Sequence, residues 1–248
     1  MRRFPILSPS LESLLKISGM SVLLFLVTGL ILCVSDETKQ EESSNLAIQE
    51  TQGKMNLLWM AILYPNMYEH LHKGNWIHAI CEVKPSRNLE AGKPQVNGQV
   101  LFQQVYPHGK LNAIFYLDGF PPDSNAAGRA IHIHEFGDLS MGCDSAGGHY
   151  NPFKVNHPFH PGDFGNFYPQ DGKIRLSMSN LQPSLFNKQA ILGRSVVIHE
   201  NADDMGKGNN SGSLEHGNAG KRLACCVIGF CKEEMWVKAH EELLKTEG

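Results

Sequence analysis

The chain has 248 residues, and apolar side chains make up 42% of them, enough for one large or two small domains around a real core. Its formal charge of −3 and isoelectric point near 6.4 give no reason to expect a nucleic-acid partner.

The first 35 residues are expected to be a signal peptide that directs the protein to the extracellular space. Three basic residues precede an uncharged apolar stretch, Val22–Val34, and two acidic residues follow it at once. Cys33, Val34 and Ser35 supply the small residues that signal peptidase prefers. A retained signal anchor is the alternative, because Ile17–Val34 is 18 uncharged residues long and nearly sufficient to span a bilayer.

Residues 36–76 are expected to form a polar linker followed by a short amphipathic helix. Glu, Gln and Ser dominate residues 36–54, a composition typical of linkers. Apolar residues then recur at helical spacing from Met55 to Ile62, until Pro65 interrupts the pattern. This apolar stripe packs either on the protein's own domain or on a partner subunit.

Residues 77–231 show the pattern of an all-β domain. Short alternating or apolar runs are separated by loops rich in Gly, Pro, Asn and Asp, which predicts an antiparallel sandwich or barrel of about eight strands. The candidate strands are Ile77–Val83, Val96–Val105, Leu111–Leu117, Ala130–His134, Ile174–Met178, Arg194–His199 and Leu223–Gly229. The remaining residues, 232–248, are a mixed-charge tail, and Lys232–Lys245 has the spacing of one helix.

A secreted chain can oxidise its cysteines, so five of them are candidates for disulfide bonds once the leader is removed. Adjacent α-carbons lie about 3.8 Å apart, below the usual disulfide range, so Cys225 and Cys226 do not bond to each other. In a strand their side chains point to opposite faces, and each is expected to find a different partner. Cys81, Cys143 and Cys231 are the available partners, and one cysteine is left over. The alternative is that some of these five cysteines are buried thiols that form no disulfide bond.

Six histidines and one aspartate form a constellation typical of a metal site. In a strand, His132 and His134 share a face, and His199 lies in a second apolar run. His157, His160 and Asp163 are expected in a loop whose proline and glycine residues allow the chain to wrap a compact ion. Imidazole suits zinc and copper, and an added carboxylate is ordinary for zinc. The full set is His132, His134, His149, His157, His160, Asp163 and His199.

These residues stand in stretches that resemble the signatures of copper/zinc superoxide dismutases. The matching stretches are His132–Asp138, Gly142-Cys143, Ser145–Pro152, His199–Gly208 and Gly217–Cys225. The resemblance covers about Ile77 to Phe230. The leader, the doubled Cys225-Cys226 and the run Gly162–Phe167 look most like the extracellular branch of the family. The implied fold is a Greek-key β-sandwich or barrel with long metal-binding and electrostatic loops.

The resemblance also implies two metal ions with one shared ligand. It implies that copper is held by His132, His134, His149 and His199, and Zn²⁺ by His149, His157, His160 and Asp163. His149 is then a bridging imidazolate. Asp203 matches the family carboxylate that links a copper histidine to a zinc histidine.

Further roles follow from the same resemblance. Arg222 would dock the substrate anion beside copper, for which a guanidinium that is always cationic is well suited. The implied disulfides are Cys143–Cys225, shared by the family, and Cys81–Cys226, found in secreted members. The implied reaction converts two superoxide anions and two protons into dioxygen and hydrogen peroxide, and His149 carries a proton to the peroxide.

The alternative function is that of a catalytically weak relative that handles copper or mediates an interaction, although every metal ligand is present.

The family resemblance implies a homodimer or homotetramer. Secreted relatives bind heparin through a basic C-terminal run, whereas residues 232–248 contain three lysines and five glutamates, so weak or absent heparin binding is expected. Asn209 begins a glycosylation sequon in the loop between the stretches His199–Gly208 and Gly217–Cys225.

Overall fold

The structure is a computed structural model that describes residues 41–55, 58–59, 62, 76–106, 109–122 and 128–246. The predicted signal peptide, residues 1–35, lies outside the described residues. The chain divides into two compact units, Met1–Leu63 and Tyr64–Gly248. No helix among the described residues is long and apolar enough to cross a membrane.

The described part of the first unit is helical. Helix α1 covers residues 41–55, and residues 58, 59 and 62 are helical as well. Over residues 41–54 the structure therefore has a helix where a polar linker was expected, and residues 36–40 lie outside the described part of the chain. The polar residues of this segment are mostly Glu, Gln and Lys, which are good helix formers, and an i,i+4 ion pair joins Glu50 to Lys54 at 2.7 Å. The apolar side chains of Leu58, Trp59 and Ile62 are exposed.

The described part of the second unit consists mainly of ten strands and two helices. The strands are β1 (Trp76–Pro85), β2 (Asn97–Val105), β3 (Leu111–Asp118), β4 (Arg129–His134), β5 (Ser140–Cys143), β6 (Asp163–Phe167), β7 (Lys173–Leu181), β8 (Ser195–His199), β9 (Arg222–Val227) and β10 (Gly229–Phe230). The helices are α2 (Ser211–His216) and α3 (Glu233–Thr246), and short 3-10 turns cover Asp144–Ala146 and Asn187–Gln189.

The strands are antiparallel and form a nearly closed barrel, which confirms the predicted fold class. Their order is β6-β4-β8-β9-β1-β2-β3-β7, and β10 pairs with β1. Alternate residues of β1 and β2, such as Ala79, Cys81 and Val100, are fully buried. All five residues of β8 are buried, as expected for a strand covered on both faces. The barrel thus gives the histidine-bearing strands β4 and β8 a rigid apolar support.

The sequence pattern did not predict β5, β6 or α2. Strand β6 has only five residues, and Gly165 interrupts its alternation. Helix α2 has six residues and begins at an N-cap, Asn210, whose side chain accepts a hydrogen bond from the Ser213 amide. Such short elements offer too few residues for a periodic signal.

The predicted C-terminal helix is present as α3. Its apolar side chains Trp236, Ala239 and Leu243 are buried. Trp236 and Ala239 form one apolar cluster with Leu101 and Ile114, which come from β2 and β3. Burial of a tryptophan contributes several kcal/mol, roughly 3 or more on the scale of large-to-small substitutions. The helix is therefore packed on the barrel.

Two disulfide bonds cross-link the described residues. Cys81 is joined to Cys226 and Cys143 to Cys225, which are the two pairs that the family resemblance implies. Cys225 and Cys226 are neighbours on β9 and reach partners on different elements, β1 and β5. Cys231 is a free thiol, and burial raises its pKa to about 11.

The Cys81–Cys226 bond closes a separation of 145 residues. Cross-linking so long a loop restricts the unfolded chain, so the double variant Cys81→Ala/Cys226→Ala is expected to lower the free energy of unfolding by about 2–5 kcal/mol. Guanidinium denaturation of the metal-free protein measures this difference. The matched control is Cys231→Ala, which removes a thiol without breaking a bond and should cost about 1 kcal/mol or less. Equal denaturation midpoints for the double variant and the native chain would contradict the expectation.

Candidate metal centre

Three strands and one connecting segment bring the predicted ligands together. His132 and His134 lie on β4 with their side chains on one face, while Ile131 and Ile133 are buried in the core. His199 ends β8, which is the antiparallel neighbour of β4. The remaining predicted ligands lie in the segment between β5 and β6, except Asp163, which the structure places at the first position of β6 and not in a loop. All six histidines are buried.

Four histidines form the first group, and one nitrogen of each lies within 4.8 Å of those of the others. Its members are His132, His134, His149 and His199. Nδ1–H of His134 donates to the Gly147 carbonyl at 3.0 Å, and Nδ1–H of His199 points to the Gly220 carbonyl at 3.4 Å.

The Nε2 atoms of His134 and His199 face each other at 3.2 Å. Because their Nδ1 atoms carry the protons, both Nε2 atoms present bare lone pairs. Burial and the neighbouring His199 and His149 hold the pKa of His134 well below its usual range. Burial likewise depresses the pKa of His199. A proton is therefore disfavoured between these two nitrogens, and a metal cation would satisfy both lone pairs.

Three histidines and an aspartate form the second group, which is made of His149, His157, His160 and Asp163. Oδ2 of Asp163 lies 2.8 Å from Nδ1 of His157 and 3.0 Å from Nδ1 of His160. Neither contact has hydrogen-bond geometry, since both ring nitrogens are without a hydrogen-bond partner. The atoms thus converge on a common point, as ligands of one ion do.

His149 belongs to both groups. Its Nδ1 lies 2.9 Å from Oδ1 of Asp163, while its Nε2 is buried without a hydrogen-bond partner. Burial is the main reason that the pKa of His149 falls to about 4. The ring can therefore present one nitrogen to each group, which is the arrangement of a bridging ligand.

The buried ring nitrogens test whether the residues fit metal ions. Among the residues that the structure describes, four buried imidazole nitrogens have no hydrogen-bond partner: Nδ1 of His132, Nε2 of His149, Nδ1 of His157 and Nδ1 of His160. Each such atom costs about 1–3 kcal/mol when nothing satisfies it. The donor sets, four imidazoles in one group and three imidazoles with a carboxylate in the other, suit copper and zinc. The residues fit both ions.

Asp203 connects the two groups by accepting a hydrogen bond from one histidine of each. Its Oδ2 accepts from Nε2–H of His132 at 2.9 Å, and its Oδ1 accepts from Nε2–H of His157 at 2.7 Å. Burial opposes the negative charge, but the hydrogen bonds from both histidines outweigh it and lower the pKa of Asp203. Burial likewise opposes a charge on His157, yet Asp163 and Asp203 raise the pKa of that ring to about 9. Asp203 therefore fixes the tautomers that turn Nδ1 of both rings toward the metal groups.

Arg222 lies on β9 beside the first group and is half-buried. Its Nη1 donates to the Cys143 carbonyl at 2.8 Å, and its Nη2 donates to the Gly147 carbonyl at 2.7 Å. Gly147 is also the acceptor for His134, so the guanidinium and a histidine of the first group share one carbonyl. The Cys143–Cys225 bond anchors the segment that supplies these acceptors.

Comparison with known proteins decides the family. A family profile described as copper/zinc superoxide dismutase (SODC) matches residues 96–228. The chain belongs to the copper/zinc superoxide dismutase family. The extracellular Cu-Zn superoxide dismutase of Homo sapiens is 43% identical over 221 residues, which cover 88% of this chain and 90% of that relative. The enzyme of the same name from Mus musculus is 50% identical over 189 residues, covering 76% of this chain and 74% of the relative.

A solved structure, the crystal structure of the clock protein EA4, has a similar fold. It shares 36% sequence identity with this superoxide dismutase chain at a TM-score of 0.54, and the match covers 63% of this chain and 96% of that one. Together with the sequence relatives, the family membership confirms the predicted enzyme class, the copper and zinc cofactors and the substrate, superoxide. The similarity to extracellular superoxide dismutases confirms the predicted secretion.

Some residues of the dismutase site were not predicted from the sequence. The carbonyls of Gly147 and Gly220 fix the tautomers of two histidines, but a main-chain acceptor has no sequence signature. Gly217 is the first residue of the matching stretch Gly217–Cys225, and the structure shows why a glycine is needed there. At this glycine φ is +64°, and a Cβ would lie 2.0 Å from Oδ1 of Asp203, so no other residue fits there without displacing the carboxylate.

The predicted glycosylation site, Asn209, is exposed and has a φ of 54°. It lies directly before Asn210, the N-cap of α2, so the sequon begins at the surface end of that helix. Exposure of the asparagine is a requirement for a glycan, and its occupancy stays a prediction.

Proposed function

We propose that this secreted superoxide dismutase holds copper in the first group of histidines and zinc in the second. Copper is assigned to His132, His134, His149 and His199, and zinc to His149, His157, His160 and Asp163. The observation that carries the assignment is the set of buried ring nitrogens without hydrogen-bond partners. The other nitrogen of His132, His157 and His160 faces an oxygen of Asp203 or the Val155 carbonyl, so each of these three rings has one nitrogen available to an ion. His149 differs, since its Nδ1 lies beside Asp163 of the second group and its Nε2 lies in the first.

His149 is proposed as the ligand that both ions share and as the proton carrier. When bound, copper supplies two alternating electron transfers, which release one superoxide as dioxygen and the other as hydrogen peroxide, while zinc supplies a second, redox-inactive cation on the same ring. Nε2 of His149 is buried within the first group, and we assign to this atom the proton that the ring would carry whenever it is not bonded to an ion. A proton on that atom would lie beside the anion docked at the first group.

Arg222 is proposed to dock superoxide. Three main-chain carbonyls, of Cys143, Asp144 and Gly147, accept hydrogen bonds from Nη1 and Nη2 and fix the plane of the guanidinium. No carboxylate neutralises it among the ion pairs of the described residues, in contrast to Lys221, which pairs with Glu90. An oriented, uncompensated cation beside the first group attracts a small anion toward the copper ligands.

The function is tested on the purified mature chain by measuring its copper and zinc content together with its rate of superoxide removal. One copper and one zinc per chain, with rapid superoxide removal, are expected. Full metal loading without activity would contradict the enzyme and favour the alternative of a copper-handling relative. Replacing His149 with Ala should remove the shared ligand and reduce the occupancy of both metals.

Substitution of Arg222 separates docking from metal binding. Arg222→Ala is expected to lower kcat/KM for superoxide about 10- to 100-fold, because one preorganised charge is lost, while both metals stay bound. Stopped-flow decay of superoxide and metal analysis measure the two effects. Lys221→Ala is the matched control, since this neighbouring cation is exposed and paired with Glu90. Loss of copper from Arg222→Ala would show that the arginine supports the metal site instead.

Assembly and retention are proposed from the family resemblance and the charge of the chain. The protein forms a homodimer or homotetramer, and residues 36–72 contribute to the larger assembly. Light scattering on chains with and without these residues is expected to show a smaller assembly mass for the shorter chain.

With three lysines and five glutamates in residues 232–248, the protein should elute from heparin below physiological salt. Retention at that salt would contradict the expected weak heparin binding.

A further inference from the structure

Asn166 forms a reciprocal pair of hydrogen bonds with the main chain of Asp203. Nδ2 of Asn166 donates to the Asp203 carbonyl at 2.8 Å, and Oδ1 accepts from the Asp203 amide at 2.7 Å. The side-chain amide therefore pairs with this residue as a neighbouring strand would, using its donor and its acceptor at once. Two bonds to one residue fix both its position and its orientation.

The position of Asp203 determines where its carboxylate points. The side chain is fully buried, and Oδ1 also accepts from the Met205 amide at 2.7 Å. Gly217 closes the space on one side, because a Cβ there would lie 2.0 Å from the same oxygen. The carboxylate is thereby held against Nε2 of His132 and Nε2 of His157.

Asn166 is also placed where both metal groups meet. It lies on β6, three residues after Asp163 of the zinc group, and it pairs with Ala130 of β4, two residues before His132 of the copper group. Its hydrogen bonds tie this pair of strands to the loop that follows β8. A displacement of Asp203 would consequently disturb a histidine of each group.

We propose that Asn166 is a positioning residue that sets the strength of metal binding through Asp203. The proposal rests on the metal assignment proposed above. Asn166 touches neither metal group directly; it holds the carboxylate that fixes the tautomers of His132 and His157. Loss of the side-chain amide leaves the Asp203 peptide without its two partners, so the carboxylate can turn away from the rings.

The test measures release of zinc from the fully metallated enzyme into a coloured chelator. Asn166→Ala is expected to accelerate release about tenfold or more, in the range seen when partners of ligating histidines are lost. Asn218→Ala is the matched control, since its Nδ2 donates to the neighbouring Asp204 at 2.6 Å and not to Asp203. This control should release zinc at the native rate.

A double-mutant cycle distinguishes positioning from a general loss of stability. If Asn166 acts through Asp203, the double variant Asn166→Ala/Asp203→Ala releases zinc as fast as Asp203→Ala alone. The visible spectrum of Co²⁺ placed in the zinc site provides a second readout, and Asn166→Ala should shift it whereas Asn218→Ala should not. Asn166→Ser replaces the alanine variant in the same cycle if that variant does not fold.

Two outcomes would overturn the proposal. One is zinc release from Asn166→Ala at the native rate, and the other is an effect that adds in full to that of Asp203→Ala. Failure of the native chain to hold zinc at all would instead refute the metal assignment, so the two proposals fail in different ways.

Discussion

The convergence of unprotonated ring nitrogens in a buried space is the constraint on which the rest of the site depends. Burial disfavours protonation of His134, His149 and His199, so a proton cannot satisfy the lone pairs that face one another. A metal cation would satisfy them. Around His132, His134, His157, His160 and His199 the hydrogen bonds have one common effect, since each occupies one ring nitrogen and leaves the other one bare.

The barrel creates this convergence through its register irregularities. The pairing of β8 with β9 shifts between Ile198 and His199, which brings His199 opposite Arg222. A second shift, between Ala130 and His132, separates the regular part of the β4–β6 pair from the end that carries His132 and Asp163. Such irregularities re-aim side chains next to functional sites. His199, which we assign to copper, and Arg222, which we propose as the docking cation, thus become cross-strand neighbours.

The sequence predicted which side chains come together better than it predicted the main-chain groups that support them. Spacing alone grouped His132 with His134 on a strand face, and the family resemblance implied that His149 is the shared ligand, an assignment that stays a prediction. Strand β6 was not predicted, because five residues interrupted by Gly165 carry no periodic signal, so Asp163 was expected in a loop. The carbonyls of Gly147 and Gly220 were inaccessible to sequence reasoning, since every residue has a carbonyl and only the fold decides which one meets a ring.

The C-terminal helix α3 carries its apolar residues on one side and its charged residues on the other. Trp236, Ala239 and Leu243 lie on the buried side of α3, which forces its charged residues outward. Glu233, Glu234 and Glu241 are exposed there with Lys238 among them. The apolar side stabilises the barrel strands β2 and β3, so this tail contributes to the fold.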